Sequence, residues 1–312
     1  MALSGGNVEP GLTLMVYAGP DAERDLAMAE ATALLGKPIA ERIRSRILAD
    51  RPPDLRPCLA VVVASDDAAV ARYAAAKQRT ADALGLGFRV ETVDPAGGQA
   101  ALDARVAALS ADPEVHGILL ELPLAAGLDV ETAIRQLDPL KDVDGLTPHN
   151  LGLIAAGREA DALLPATPDA CIRLAETVAD LKGTRAVVVG RGRAVGRALA
   201  PMLVNRDATV TVCHSRTRDL AAAVAAADIV FVAAGRPGLV TGAMVRSGQV
   251  VIDAGISVID GRVVGDVDAG SVRPVAAALT PVPGGVGPLT ATLIFANLLR
   301  AVELQRRLGR LR

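Results

Sequence analysis

The sequence predicts an α/β fold with parallel sheets, divided into about two domains. Three observations carry this. Short β-branched runs alternate with helical segments in both halves of the chain, the pattern that lays helices over a parallel sheet. The 312 residues are about twice the ~150 of a common domain. Finally, residues 185–205 read as strand, glycine-rich turn and helix, the opening of a doubly wound sheet.

In chain order, residues 1–33 have weak periodicity and read as an N-terminal extension, with a helix near 22–35. Over 37–48, Ile39, Ile43 and Ile47 recur on one helical face. Three prolines within 51–57 stop that helix. The run LAVVVA at 59–64 predicts a buried strand. An Ala-rich helix follows over 67–84, a strand over 88–93, a helix over 98–109 and a third strand over 115–120, which runs into Glu121-Leu122-Pro123. The second half repeats the alternation. Helices are expected at 168–181, 195–205 and 220–227, and strands at 185–189, 209–213, 229–233 and 250–253. Residues 281–288 read as a rigid glycine-rich loop, and 290–308 as a final helix.

Composition narrows the function. A chain 51% hydrophobic and 22% charged is not disordered. With three Phe, two Tyr and no Trp its core is aliphatic, and it lacks platforms for stacking bases. A net charge of −2 leaves no basic excess for a phosphate backbone, so nucleic acid is not an expected partner. Cys58, Cys171 and Cys213 lie far apart and read as reduced and buried; with the three His in no ligand spacing, no metal is expected. No basic residue precedes Arg24, unlike a targeting peptide, and no apolar run nears the ~18 residues of a membrane helix. The expectation is a soluble, cytoplasmic protein that does not engage membranes.

Gly190, Gly192 and Gly196 sit between a predicted strand and a predicted helix, where glycines permit a sharp turn and close approach of a pyrophosphate to a helix N-terminus. NAD-binding folds commonly place a carboxylate at the end of the next strand; this chain has His214-Ser215-Arg216-Thr217. A hydroxyl there, with Arg191 in the turn, suits a 2′-phosphate and favours NADP. Tyr73 and Lys77, at i and i+4, share one face of a predicted helix. Lys occurs only at positions 37, 77, 141 and 182, and unlike Arg a Lys can give up its proton, which suits proton transfer at Lys77. Asp142 and Asp144 supply clustered carboxylates, able to accept paired hydrogen bonds from an amino-pyrimidine ring.

Together these segments resemble the bifunctional methylenetetrahydrofolate dehydrogenase/methenyltetrahydrofolate cyclohydrolase family. The likeness rests on the Tyr73–Lys77 pair, GILLELPL (117–124), DPLKDVDG (138–145), VGRGRAVG (189–196), TVCHSRTRDL (211–220) and TPVPGGVGPLT (280–290). It implies two α/β domains with a cleft between them: a catalytic, folate-binding domain over 34–167, completed by 289–312, and an NAD(P)-binding Rossmann domain over 168–288, in a homodimer. It implies Lys77 as the catalytic lysine, Tyr73 stacked on folate, Asp144 holding the pterin, and Pro283, Gly284 and Gly285 in a loop over the substrate. It also implies Arg191 and Ser215 at the NADP phosphate and Ile256 against the cofactor.

The chain departs from the family pattern in several places. Glu121 stands where the family has the glutamine partner of the lysine. Val70 and Gly192 replace serines, Ala198 a proline and Ala166 a cysteine. An ion pair in place of a neutral hydrogen bond at Lys77 predicts a cyclohydrolase that is weak beside the dehydrogenase. Another two-domain NAD(P)-dependent dehydrogenase, or a non-catalytic folate- or NADP-binding relative, remain the other readings of these residues.

Overall fold

A computed structural model describes residues 30–311. The expected helix near 22–35 lies outside the described residues up to position 29; beyond it, β1 (Thr32–Ala33) is extended rather than helical. The strand is stabilised from outside the segment: Ala33 pairs in register with Leu279 at the edge of a sheet. Two residues carry no readable periodicity, so the partner decides their conformation.

The first unit is a three-stranded parallel sheet in the order β3-β2-β4. Helix α1 (Gly36–Asp50) leads into β2 (Cys58–Val63), α2 (Ala68–Ala83), β3 (Gly87–Thr92), α3 (Gly98–Ala111) and β4 (Gly117–Leu120). These match the expected elements within about two residues, because both the alternation and the Pro and Gly stops are local. Shorter helices α4 (Val130–Ile134) and α5 (Pro148–Ala155) follow. Each begins at a side-chain cap, Asp129 accepting from Thr132 N and Thr147 from Asn150 N.

Helix α6 (Ala166–Ala175) starts two residues before the expected 168 and stops six short of 181. The second unit comprises β5 (Arg185–Val189), α7 (Gly196–Val204), β6 (Thr209–Cys213), α8 (Leu220–Ala226), β7 (Ile229–Val232), β8 (Val250–Asp253), the hairpin β9 (Ser257–Ile259) and β10 (Arg262–Val264), α9 (Ala269–Val272) and β11 (Ala278–Leu279). Its sheet is parallel throughout, in the order β1-β11-β8-β7-β5-β6. From β5 the chain passes first to β6 on one side and later to β7 on the other, so the strand order reverses between β5 and β7. Ligands of such sheets bind outside the strand C-termini at that point.

Helix α10 (Val286–Arg307) begins inside the segment expected as loop, four residues before 290. Pro288 fits because the first turn of a helix needs no donor at that nitrogen. The helix returns to the first unit: Asn297 donates to the carbonyls of Val143 and Leu164, both at 2.8 Å, and Gln305 to those of His116 and Leu140. Its apolar face, including Leu289, Leu293, Phe295 and Leu298, joins α1 and α6 in a core shared by both sheets. Among the cysteines, Cys171 and Cys213 are buried and Cys58 only half-buried; all three are free thiols. No helix among the described residues is long and apolar enough to cross a membrane, and no group of metal-ligating side chains is found among them.

Candidate active site

Four of the side chains singled out in the sequence meet at the C-terminal end of the three-stranded sheet. Lys77 projects from the third turn of α2, and Glu121 directly follows β4, its N–H bonded to the carbonyl of Val62. Lys77 Nζ donates to both carboxylate oxygens of Glu121, at 2.7 and 2.9 Å. The pair is largely withdrawn from water, with side chains 17% and 8% exposed. Tyr73, one turn earlier on α2, stands 55% exposed at the rim, its ring centroid 6.0 Å from Lys77 Nζ. A large aromatic ring left bare beside a buried ion pair offers a flat face to an incoming ring.

Asp142 and Asp144 occupy the turn beyond, but their environments separate them. Asp142 accepts from Thr147 N at 2.7 Å and Asn150 Nδ2 at 3.1 Å, and so serves to hold the turn. Asp144 receives no hydrogen bond among the described residues. Burial, reinforced by the Asp142 carboxylate, pushes Asp144 up to about 7 against the pull of Lys77. It borders a cavity of about 10 Å³, the size of one water, with apolar walls that include Leu120, Leu122, Ile134 and Leu146. An unbonded carboxyl group facing an apolar slot is arranged to accept from a flat ligand's N–H groups.

The 281–285 segment packs on the start of α1, where Gly36 N donates to the carbonyl of Gly284 at 3.0 Å. A Cβ at Gly36 would come 2.0 Å from the Gly285 carbonyl oxygen, so the loop and the helix touch through backbone. Gly284, at φ +116°, needs the freedom of glycine. The hydrogen bonds of Pro283, Gly284 and Gly285 run to α1 and within the loop, not to Lys77 or Asp144.

The other expected residues lie at the C-terminal edge of the larger sheet. Gly190 turns the chain out of β5 at φ +118°, and a Cβ there would meet the Ala233 carbonyl oxygen at 2.1 Å. A Cβ on Gly196 would strike the Gly190 oxygen at the same distance, which explains glycine at both ends of the turn. Above Gly192, by contrast, the space is open. Arg191 is exposed and makes no ion pair or hydrogen bond among the described residues. Ser215, also exposed, lies in the turn after β6, the strand beside β5. Ile256 follows β8, on the far side of β7, and is 62% exposed. This edge fits a phosphorylated dinucleotide: open space over the glycine turn, with a free guanidinium and a hydroxyl at one side and a bare apolar side chain at the other. Arg193 forms an ion pair with Glu131 of α4, which brings the turn against the first unit.

Two carboxylates beneath this edge were not singled out in the sequence. Asp266, fully buried, accepts from Ala234 N at 2.6 Å and Gly235 N at 2.7 Å, and so holds the loop after β7. Asp253 accepts from the backbone of Gly255, Asp266 and Val267, and burial pushes it up to about 6. Only their contact in space distinguishes them from the chain's other acidic residues.

Comparison with known proteins follows the same division. Residues 34–144 match the model of the tetrahydrofolate dehydrogenase/cyclohydrolase catalytic domain, and 165–306 that of the corresponding NAD(P)-binding domain. A bifunctional protein FolD of Deinococcus radiodurans is 50% identical over 289 residues, covering 90% of this chain and 96% of the relative. The solved bifunctional methylenetetrahydrofolate dehydrogenase/cyclohydrolase of Campylobacter jejuni superposes with a TM-score of 0.84 at 35% identity, covering 89% of this chain and 99% of that one. A Trypanosoma brucei methylenetetrahydrofolate dehydrogenase-cyclohydrolase, solved with NADP and an inhibitor, gives 0.83 at 34% identity over 90% of this chain and 99% of its own. With both halves matched and the site residues gathered as described, the chain belongs to the tetrahydrofolate dehydrogenase/cyclohydrolase family.

Proposed function

We propose that the protein oxidises 5,10-methylenetetrahydrofolate to the 5,10-methenyl form with NADP and hydrolyses that product to 10-formyltetrahydrofolate. The observation that carries the reading is the Lys77–Glu121 pair, buried beside the bare Tyr73 ring and the unbonded Asp144. Asp144 holds the pterin, Tyr73 stacks on the folate, and Pro283, Gly284 and Gly285 cover it. Gly190, Gly192 and Gly196 form the floor for the pyrophosphate, Arg191 and Ser215 take the 2′-phosphate, and Ile256 lies against the nicotinamide.

NADP, when bound, accepts the hydride from the one-carbon bridge. That step asks the protein chiefly for alignment, because the nitrogens flanking the bridge stabilise the positive charge of the product. Hydrolysis asks for more: water must lose a proton and a ring nitrogen must gain one. Lys77 is the group placed to move that proton, and Glu121 holds its Nζ in position. Because it needs this proton movement as well as alignment, hydrolysis is the slower of the two activities.

The family's two-part organisation is assigned as 34–167 with 289–312, and 168–288. The protein acts as a cytoplasmic homodimer; the β9–β10 hairpin, with Val258 67% and Ile259 47% exposed and its strands paired only to each other, is a surface suited to a second copy. The purified protein should form NADPH from methylenetetrahydrofolate and NADP, with methenyl absorbance rising and then decaying. Absence of NADPH would refute the assignment.

A further inference from the structure

Helix α4 touches both halves of the site. Val130 and Ile134, one turn apart, wall the small cavity that Asp144 borders. Glu131, on the same first turn, pairs with Arg193 of the glycine turn after β5. The start of α4 is itself fixed on α3. The Asp129 N–H donates to Gln99 Oε1 at 2.7 Å, and Gln99 Nε2 donates to the Asp129 carbonyl at 3.1 Å. One short, well-anchored helix therefore links the Asp144 slot to the cofactor turn.

The same turn is held a second time, through the far end of α7. That helix has nine residues, about 13 Å, between the turn and Asn205. Asn205 Nδ2 donates to the Ile154 carbonyl at 2.9 Å and to Glu159 Oε1 at 2.8 Å. Arg206 pairs with Glu159 and with Glu176. The C-terminal end of α7 is thus anchored beside α5 and α6, and the contact of Arg193 with Glu131 sets where its other end lies.

We propose that Arg193 and Glu131 are positioning residues for hydride transfer: their ion pair fixes the cofactor turn at the distance from the folate slot at which the one-carbon bridge meets the nicotinamide. The proposal rests on the folate reading above. In that step a hydrogen, with both electrons of its C–H bond, passes from the bridge carbon to the nicotinamide ring and leaves the methenyl cation. The two reactants are held by different units. Reacting atoms must approach to about 3–3.5 Å, and a misplacement of ~1 Å costs up to about a hundredfold. Hydrolysis makes no such demand, because Tyr73, Lys77, Glu121 and Asp144 all belong to the first unit. The pair therefore serves one activity and not the other. With Arg193 21% and Glu131 62% exposed, it biases the units towards this arrangement rather than locking them, so its removal costs a few-fold in rate.

The test measures both activities of the whole protein for wild type, Glu131→Gln, Arg193→Gln and the double variant. NADPH formation from methylenetetrahydrofolate is read at saturating NADP. Hydrolysis is read on methenyltetrahydrofolate supplied directly, without NADP. Each single variant should lower kcat for NADPH formation by roughly two- to fivefold and leave hydrolysis unchanged. The double variant should fall no further than either single one, because the same interaction is lost in all three. Undiminished NADPH formation in Glu131→Gln, losses that multiply in the double variant, or an equal loss of hydrolysis would overturn the positioning role and leave the folate reading standing. No NADPH from the wild type would overturn the folate reading and the positioning role with it.

Discussion

The substitution Glu121→Gln tests the charge at the centre of the site. In the native protein, both carboxylate oxygens accept from Lys77 Nζ, at 2.7 and 2.9 Å, with the side chains 8% and 17% exposed. Glutamine has nearly the same shape and keeps one acceptor oxygen, but it removes the negative charge. A charge-assisted hydrogen bond contributes about 1.5–3 kcal/mol, roughly twice a neutral one, so the exchange weakens the hold on the ammonium by about 1–1.5 kcal/mol. A barrier lower by ~1.4 kcal/mol is a tenfold faster step. Hydrolysis should therefore rise by up to about tenfold, while hydride transfer, which needs alignment rather than a base, should change by less than about threefold. NADPH formation reports hydride transfer and decay of the methenyl absorbance reports hydrolysis, and their ratio cancels errors in active protein. An unchanged or lower ratio of hydrolysis to hydride transfer would refute the argument and show that glutamate is itself competent there.

Arg191→Ala should raise the KM for NADP by about tenfold and leave that for NAD nearly unchanged, since a phosphate contact of roughly 1.4 kcal/mol is lost only with the phosphorylated cofactor; equal effects on both would remove Arg191 from the 2′-phosphate site. Lys77→Arg should fold, as shown by an unaltered melting profile, yet lose its cyclohydrolase activity, because a guanidinium does not give up its proton; full hydrolysis in that variant would show that Lys77 moves no proton. Asp144 stands at about 7 in the folded protein against an ordinary 3.8. Folding therefore disfavours its ionised form, with a penalty that is absent below about pH 4, grows above it and is complete above about pH 7. Asp144→Asn should accordingly gain stability relative to wild type as pH rises from 4 to 8, by on the order of 3 kcal/mol, read from denaturant melts at each pH. Parallel stability profiles for the two proteins would contradict that environment.

Much of this protein is determined by its local sequence. The strands CLAVVV and RAVVV, the Ala-rich α2 and the glycine turn after β5 are long enough, or chemically specific enough, to be recognised without their neighbours. The scarcity of Lys marks Lys77, but it marks Lys141 equally. There the ammonium is buried, donating to the carbonyls of Ser110 and Asp112 at 2.8 and 2.7 Å, and so binds the end of α3. Rarity alone does not tell a structural ammonium from a catalytic one; burial and partners do.

What the tertiary structure decided are the features whose cause lies far along the chain. Strands β1 and β11 have two residues each and exist because they pair with each other and with β8. Helix α10 extends back to Val286 because its first turns are packed on α1, overriding a glycine- and proline-rich stretch that reads as loop. Lys77 and Glu121 are 44 positions apart, and only the parallel pairing of β2 with β4 sets one carboxylate against one ammonium. The contact of Asp253 with Asp266 and the environment that lifts Asp144 are likewise products of packing. Periodicity records which face of an element is apolar; which polar groups are then enclosed together depends on how the elements dock.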